Sequence, residues 1–291
     1  MSKLLFGNNG GIEPFISWLD RFKGEISRDS ITIEVDTVGQ MFISKTYTDD
    51  KGLVRFSQIS FEDAHLELKE TEGHDGQSRI LVGLFMVLPK FIEILKTINT
   101  ATEFTIDMSF GQSTDKENKP VLAVSEFMFR SKTLTLRLPG CSVKEIPYMN
   151  DETFFGKVWK APTPIQITVT PDVIKNIISI SDIYAKFNKQ MNYMMFYTRT
   201  EEDGSRVLCV KDGNKEDSYD YVMGPVTTEK EDFADVSMTV YRDKFLLAVK
   251  NALDETTFSL STEKANRLLI ELKGGNTKTI IARLQQAAGP Q

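Results

Sequence analysis

The side chains best suited to chemistry are few in this chain. Histidine occurs at His65 and His74, and cysteine at Cys141 and Cys209. Neither histidine has a cysteine or carboxylate at ligand spacing, so no metal site is expected. The adjacent acids Asp49-Asp50 and Glu201-Glu202 stand beside glycine in Asp49-Asp50-Lys51-Gly52 and Glu201-Glu202-Asp203-Gly204. Such runs read as solvated hairpin turns rather than as an acid–base dyad. The chain has no G-x-S-x-G, no P-loop and no dinucleotide fingerprint. Its glycine-rich GNNGG, residues 7–11, follows no strand expected to be long enough to cradle a phosphate. No cofactor is expected. The inventory points to a binding or structural protein, and an enzyme built on an acidic pair is the third reading.

What remains is charge on helix faces. Apolar residues at helical spacing put Lys90, Glu93, Lys96 and Thr97 together on one outward face, and Lys244, Lys250 and Asn251 on another. A longer helical pattern adds Lys175 and Lys186, with Lys189 just past its end, and the first helical pattern adds Arg21 and Lys23. Acids outnumber bases 41 to 35, so lysines on helices imply acids gathered elsewhere, in loops such as KETEGHDG, TEEDGS and EKEDFAD. The plainer account is that lysine is a good helix former and solvated helix faces carry charge. A net charge of −6 argues against general nucleic-acid binding, yet leaves room for a basic patch on one face.

The elements that must position these residues repeat. Val82–Asp107 lies without a gap over Val236–Ser261 at an offset of 154, the separation of Phe91 and Phe245. Lys90, Phe91, Lys96, Thr102 and Phe104 meet identical residues at Lys244, Phe245, Lys250, Thr256 and Phe258. Each copy reads strand, helix, strand. Self-similarity at a long fixed offset predicts a tandem duplication of one α+β domain, and 291 residues fit two domains.

Along the chain, a helix is predicted over Gly11–Lys23 with Phe15, Ile16, Leu19 and Phe22 buried. Strands follow at ITIEVD, MFISKTY and LVRFSQIS, with Phe61–Leu68 continuing the meander and residues 69–78 forming a loop. Residues 111–120 are read as a second loop between strands, and VLAVSEFMFRS and TLTLRL close a first domain, residues 1–140. Residues 141–163 break period and read as an interdomain linker, apolar for one so placed: Val143, Ile146, Tyr148, Phe154, Phe155 and Trp159 either clip it to the domains or form a docking surface for partners. The second domain, residues 164–291, opens with PIQITVT and the helix Pro171–Phe187, and continues through NYMMFYTRT, RVLCVKD, SYDYVMG, RLLIEL and TKTIIARL. The predicted class is α+β, two similar tandem domains, each an antiparallel sheet with two helices on one face. No apolar run approaches the ~18 residues of a membrane helix. MSKLLFGNNGG lacks a secretory pattern, so a cytoplasmic setting is expected, the host cytoplasm if the protein is viral.

On the repeated unit, the helix PDVIKNIISISDIYAKF, the order of elements and the long linker, the chain resembles the sliding DNA clamps, the polymerase processivity factors of tailed phages and the proliferating cell nuclear antigen type. The resemblance covers nearly the whole chain and rests on patterns rather than signature residues. It implies a homotrimeric ring of six clamp-fold domains that encircles duplex DNA without sequence preference, loaded by a clamp loader and tethering a DNA polymerase. It further implies a lining of Arg21, Lys90, Lys96, Lys175, Lys186, Lys189, Lys244 and Lys250. Partner peptides would dock beside the linker residues named above. Ring closure would pair Thr133, Leu134, Thr135, Leu136, Arg137 and Leu138 with Ser218, Tyr219, Asp220, Tyr221, Val222 and Met223 of the next subunit. The competing readings are a monomeric clamp-like factor held to DNA by charge, which the net acidity disfavours, and an assembly protein of a virus particle built from duplicated α+β domains.

Overall fold

The computed structural model describes residues 2–22, 32–47, 52–72, 79–83, 88–99, 103–115, 118–140, 165–187, 192–213, 218–227, 236–249, 252, 255–260, 267–272 and 277–282. The chain divides into two compact units, Met1–Asp49 with Phe56–Met149, and Asp50–Arg55 with Asn150–Gln291. The sequence-based linker, residues 141–163, lies outside the described residues.

The first unit begins with strand β1 (Ser2–Asn8) and helix α1 (Glu13–Asp20), shorter than the predicted Gly11–Lys23. Phe15, Ile16, Leu19 and Phe22 are buried as expected, and so is Trp18, whose indole N–H donates to Ser57 Oγ at 2.8 Å. Strands β2 (Thr32–Asp36), β3 (Met41–Tyr47) and β4 (Leu53–Ser60) follow the predicted meander. Then come β5 (Leu66–Glu72), β6 (Arg79–Gly83), helix α2 (Leu88–Ile98), β7 (Phe104–Thr114), β8 (Pro120–Ser131) and β9 (Thr135–Pro139). The sheet runs β3-β2-β6-β8-β7-β1-β5, with β9 beside β8 and β4 beside β3.

The structure departs from the sequence-based expectations at four places along the first unit. Ser2–Asn8 is a full strand between β5 and β7, so GNNGG begins in the end of a strand and leads into a helix. It is still no phosphate cradle: the Ile12 N–H donates to Asn99 Oδ1 at 2.7 Å, and Glu13 adds a carboxylate in the first turn that would repel an anion. Residues 69–72 belong to β5, because a twisted edge strand tolerates charge on both faces. Gly111–Thr114 extend β7, so the second loop is shorter than predicted. Phe61–His65 form a turn, with His65 at φ 55° and its Nδ1 2.7 Å from the Gly11 carbonyl oxygen, rather than continuing the meander.

The second unit comprises β10 (Ile165–Val169), helix α3 (Pro171–Phe187), β11 (Tyr193–Thr200), β12 (Arg206–Gly213), β13 (Ser218–Pro225), β14 (Ser237–Tyr241), helix α4 (Arg242–Val249), β15 (Thr256–Leu260), β16 (Arg267–Leu272) and β17 (Thr277–Ala282). Its strands divide between two sheets rather than forming one. The first is ordered β13-β12-β11-β14; the second runs β10-β15-β16-β17 and takes in the Leu53–Arg55 end of β4. An isolated bridge joins Gln166 to Thr227.

The duplication is visible in the cores. Helices α2 and α4 start at Leu88 and Arg242, and the buried pairs Phe91 and Phe245, Leu95 and Val249, Phe104 and Phe258, Ile106 and Leu260 all keep the offset of 154. Phe91 packs on Phe127 and Phe129, while Phe245 packs on Phe196 and Phe258. Each such ring contributes about 1.5–3 kcal/mol by leaving water, so the repeated phenylalanines anchor both helices to their sheets.

Candidate nucleic-acid interface

Burial of Phe91, Ile92, Leu95 and Ile98 fixes the rotation of α2, and the residues left outside are Lys90, Glu93, Lys96 and Thr97. On α3 the buried Ile174, Ile177 and Ser181 turn Lys175, Asn176, Ser179, Asp182 and Lys186 outward. Lys96 and Lys186 sit in the last turns of their helices, where the carbonyl ends favour a cation. Lys90, Lys96, Lys175 and Lys186 are exposed; Arg21 and Lys244 are half-buried. Lys189 and Lys250 lie outside the described residues, as do all six linker residues named as a docking surface.

Ion pairs decide which charges these faces present. Lys175 lies 3.4 Å from Asp172 one turn earlier, so its charge is partly matched. Arg242, absent from the sequence-based candidates, reaches from the start of α4 to Ser181 Oγ at 2.6 Å and to Asp182 at 2.7 Å. It thereby offsets the acid that would otherwise repel a phosphate from the middle of α3. The signal was available: Arg242 stands where the repeat has the buried Leu88, and a cation replacing a core leucine needs a partner. Lys90, Lys96 and Lys186 are left as exposed cations on separate turns, suited to individually weak phosphate contacts.

Two strand edges form the second notable feature. Among the described residues β9 pairs only with β8, and β13 only with β12. Leu134 and Val222, which flank or lie on these edges, are 41% and 44% exposed. The edge of β5, by contrast, is guarded by Glu67, Lys69, Glu70 and Glu72. On the face of β13 away from the core, Asp220 accepts a hydrogen bond from the Tyr197 hydroxyl and lies 3.5 Å from Arg199, which also pairs with Glu201 at 2.8 Å. Burial, then the bond to Asp220, push the Tyr197 hydroxyl pKa well above the usual tyrosine value. Burial likewise raises the Cys209 thiol, keeping it protonated and unreactive.

The tyrosine shift has a consequence at high pH. Below the unfolded tyrosine pKa of about 10, both states hold the proton. Above it the unfolded chain ionises first, so folded stability declines as pH rises toward the raised folded value. Thermal unfolding measured between pH 10 and pH 12 should therefore fall more steeply with pH for the wild type than for Tyr197→Phe.

No protein-family model and no curated protein sequence matches the chain. Solved structures do. The PCNA of A. fulgidus, bound to the C-terminal region of FEN-1, shares 14% identity over 99% of this chain and 100% of its own, at a TM-score of 0.58. The Proliferating Cellular Nuclear Antigen of Entamoeba histolytica aligns over 98% of this chain and 100% of its own with 13% identity and a TM-score of 0.62. A Helicobacter pylori beta clamp bound to a DNA ligase peptide matches 98% of this chain and 67% of its own, at 13% identity and a TM-score of 0.60. The chain has the sliding-clamp fold. Among the described residues each unit supplies two helices and a largely antiparallel framework, and Lys90, Lys96, Lys175 and Lys186 ride on the helices.

Proposed function

We propose that this protein is a sliding clamp, a ring of three copies that encircles duplex DNA and tethers a replicative DNA polymerase in the cytoplasm. One observation carries the reading: among the described residues, β9 of the first unit pairs on one side only with β8, and β13 of the second with β12. Within the second unit, β17 lies beside the Leu53–Arg55 end of β4, where Arg55 bonds Thr279. By the duplication β17 corresponds to β9 as the last strand of its half, and β4 to β13 as the third strand after the first helix. The pairing made in the second unit is therefore the one that β9 and β13 can make between copies. Such contacts are head-to-tail and close into a ring when the rotation allows.

The helix lysines supply the lining. Sliding requires contacts that are sequence-independent and weak, and exposed ammonium groups on flexible stems meet both needs. The peptides seen on the A. fulgidus PCNA and the Helicobacter pylori beta clamp support a partner-binding role, with the polymerase and a clamp loader as the expected occupants.

Light scattering behind a sizing column tests the ring. The expected mass is about three times 33.0 kDa. Clamp loaded on nicked circular DNA should stay bound through gel filtration and be lost when the circle is cut. A protein that remains monomeric across concentrations, or that dissociates equally from circles and linear DNA, would count against encirclement.

A further inference from the structure

Resting on the ring reading, the alternation of side chains fixes how the two edges can meet. Leu136 and Leu138 pack against the first unit's core, which turns Arg137 to the opposite, exposed face. Tyr221 packs against the second unit's core, which turns Asp220 and Val222 outward in the same sense. Residues directly opposed in an antiparallel ladder share a face. A joined sheet that keeps its core-side residues together therefore sets Arg137 opposite Asp220 or Val222, and never opposite Tyr219 or Tyr221. Pairing Thr133–Leu138 end to end with Ser218–Met223 would place Arg137 against Tyr219, so the register moves by one residue.

Charge selects between the two remaining registers. Arg137 is exposed, and exposed Lys132 stands in the turn that leads from β8 into its strand. Asp220 is held in place from its own side: its Oδ2 takes both the Tyr197 hydroxyl and Arg199, while among the described residues Oδ1 takes no bond. We propose that the Arg137 guanidinium of one copy pairs with the Asp220 carboxylate of the next, and that this cross-strand ion pair sets the register and the head-to-tail direction of assembly. In that register Leu136 meets Tyr221 and Leu138 meets Tyr219, which continues the apolar layer beneath the joined strands. Like-for-like contacts, β9 with β9 or β13 with β13, would instead oppose charges of one sign.

Charge reversal tests the pair. Sedimentation equilibrium should show the assembly of Arg137→Glu and of Asp220→Arg weakened by about tenfold or more, with the double variant returning to within about threefold of wild type. Because Asp220→Arg also confronts Arg199, Asp220→Asn gives a variant that keeps an acceptor for Tyr197 and loses only the charge; it should weaken assembly too. The thermal midpoints of the separated subunits report whether each variant folds. A wild type that assembles while ignoring Arg137→Glu and Asp220→Asn overturns the ion pair and leaves the ring standing. Loss in the single variants without recovery in the double also overturns it. A wild type that never assembles removes the ring itself, and the ion pair with it.

Discussion

Replacing Lys90, Lys96 and Lys186 together by glutamate should cut retention on duplex DNA by about 100-fold or more while leaving the fold intact. All three are exposed and stand on helices whose opposite faces are buried, so no core contact is touched. Exposed substitutions usually shift stability by less than about 0.5 kcal/mol each. The DNA effect is larger because each lysine lost forfeits a released counterion and each glutamate adds repulsion, so both the affinity and its salt dependence change. Retention on nicked circles, measured across a salt series beside a thermal melt, reads both quantities. A variant that folds, assembles and is retained like the wild type would move the DNA path off these helices. Lys175→Glu alone should do less, because Asp172 already offsets its charge.

The largest stability effect is expected at Arg55. This side chain is 1% exposed within the second unit; its Nε donates to Thr279 Oγ1 at 3.0 Å, and one terminal nitrogen reaches the Leu247 and Ala248 carbonyls at 2.9 and 3.4 Å. Those carbonyls lie in the last turn of α4, where helix oxygens lack intrahelical donors. Arg55→Met removes the donor and leaves these part-buried and buried acceptors without it, at a cost of about 1–3 kcal/mol for each group left unsatisfied. Arg55→Lys should recover only part of this, since a single ammonium cannot replace the planar fork that spans strand and helix. Hydrogen exchange resolves the effect: amides of α4 and β17 should open earlier in the methionine variant than those around Phe6 and Phe42 in the first unit. Unchanged exchange in α4 would show that its terminal carbonyls are satisfied without Arg55.

What the sequence determined by itself was local and periodic. The strands at Thr32–Asp36, Met41–Tyr47 and Leu53–Ser60, the helix Pro171–Phe187 and the repeat at offset 154 were legible because alternation and helical spacing are written in neighbouring residues. The lysines of α2 and α3 were legible for the same reason: once the apolar stripe is known, the outward face follows. The tertiary structure alone decided where isolated polar groups go. Strand β1 offered only Leu4 and Phe6 as an apolar alternation, and it became a strand by lying between β5 and β7. Arg55 sits in a run whose first three residues are all buried, so no face assignment from Leu53–Ser60 could have shown it bonded to Thr279, 224 residues away. Arg242 found Asp182, 60 residues earlier, and Tyr197 found Asp220 across two strands. A buried or half-buried charge takes whichever partner the fold brings within 3 Å or so, and that proximity has no period in the sequence. Edges are likewise a property of the assembled sheet: periodicity makes β9 and β13 ordinary strands, only the resemblance marked them for pairing between copies, and the ladder leaves each with one partner among the described residues.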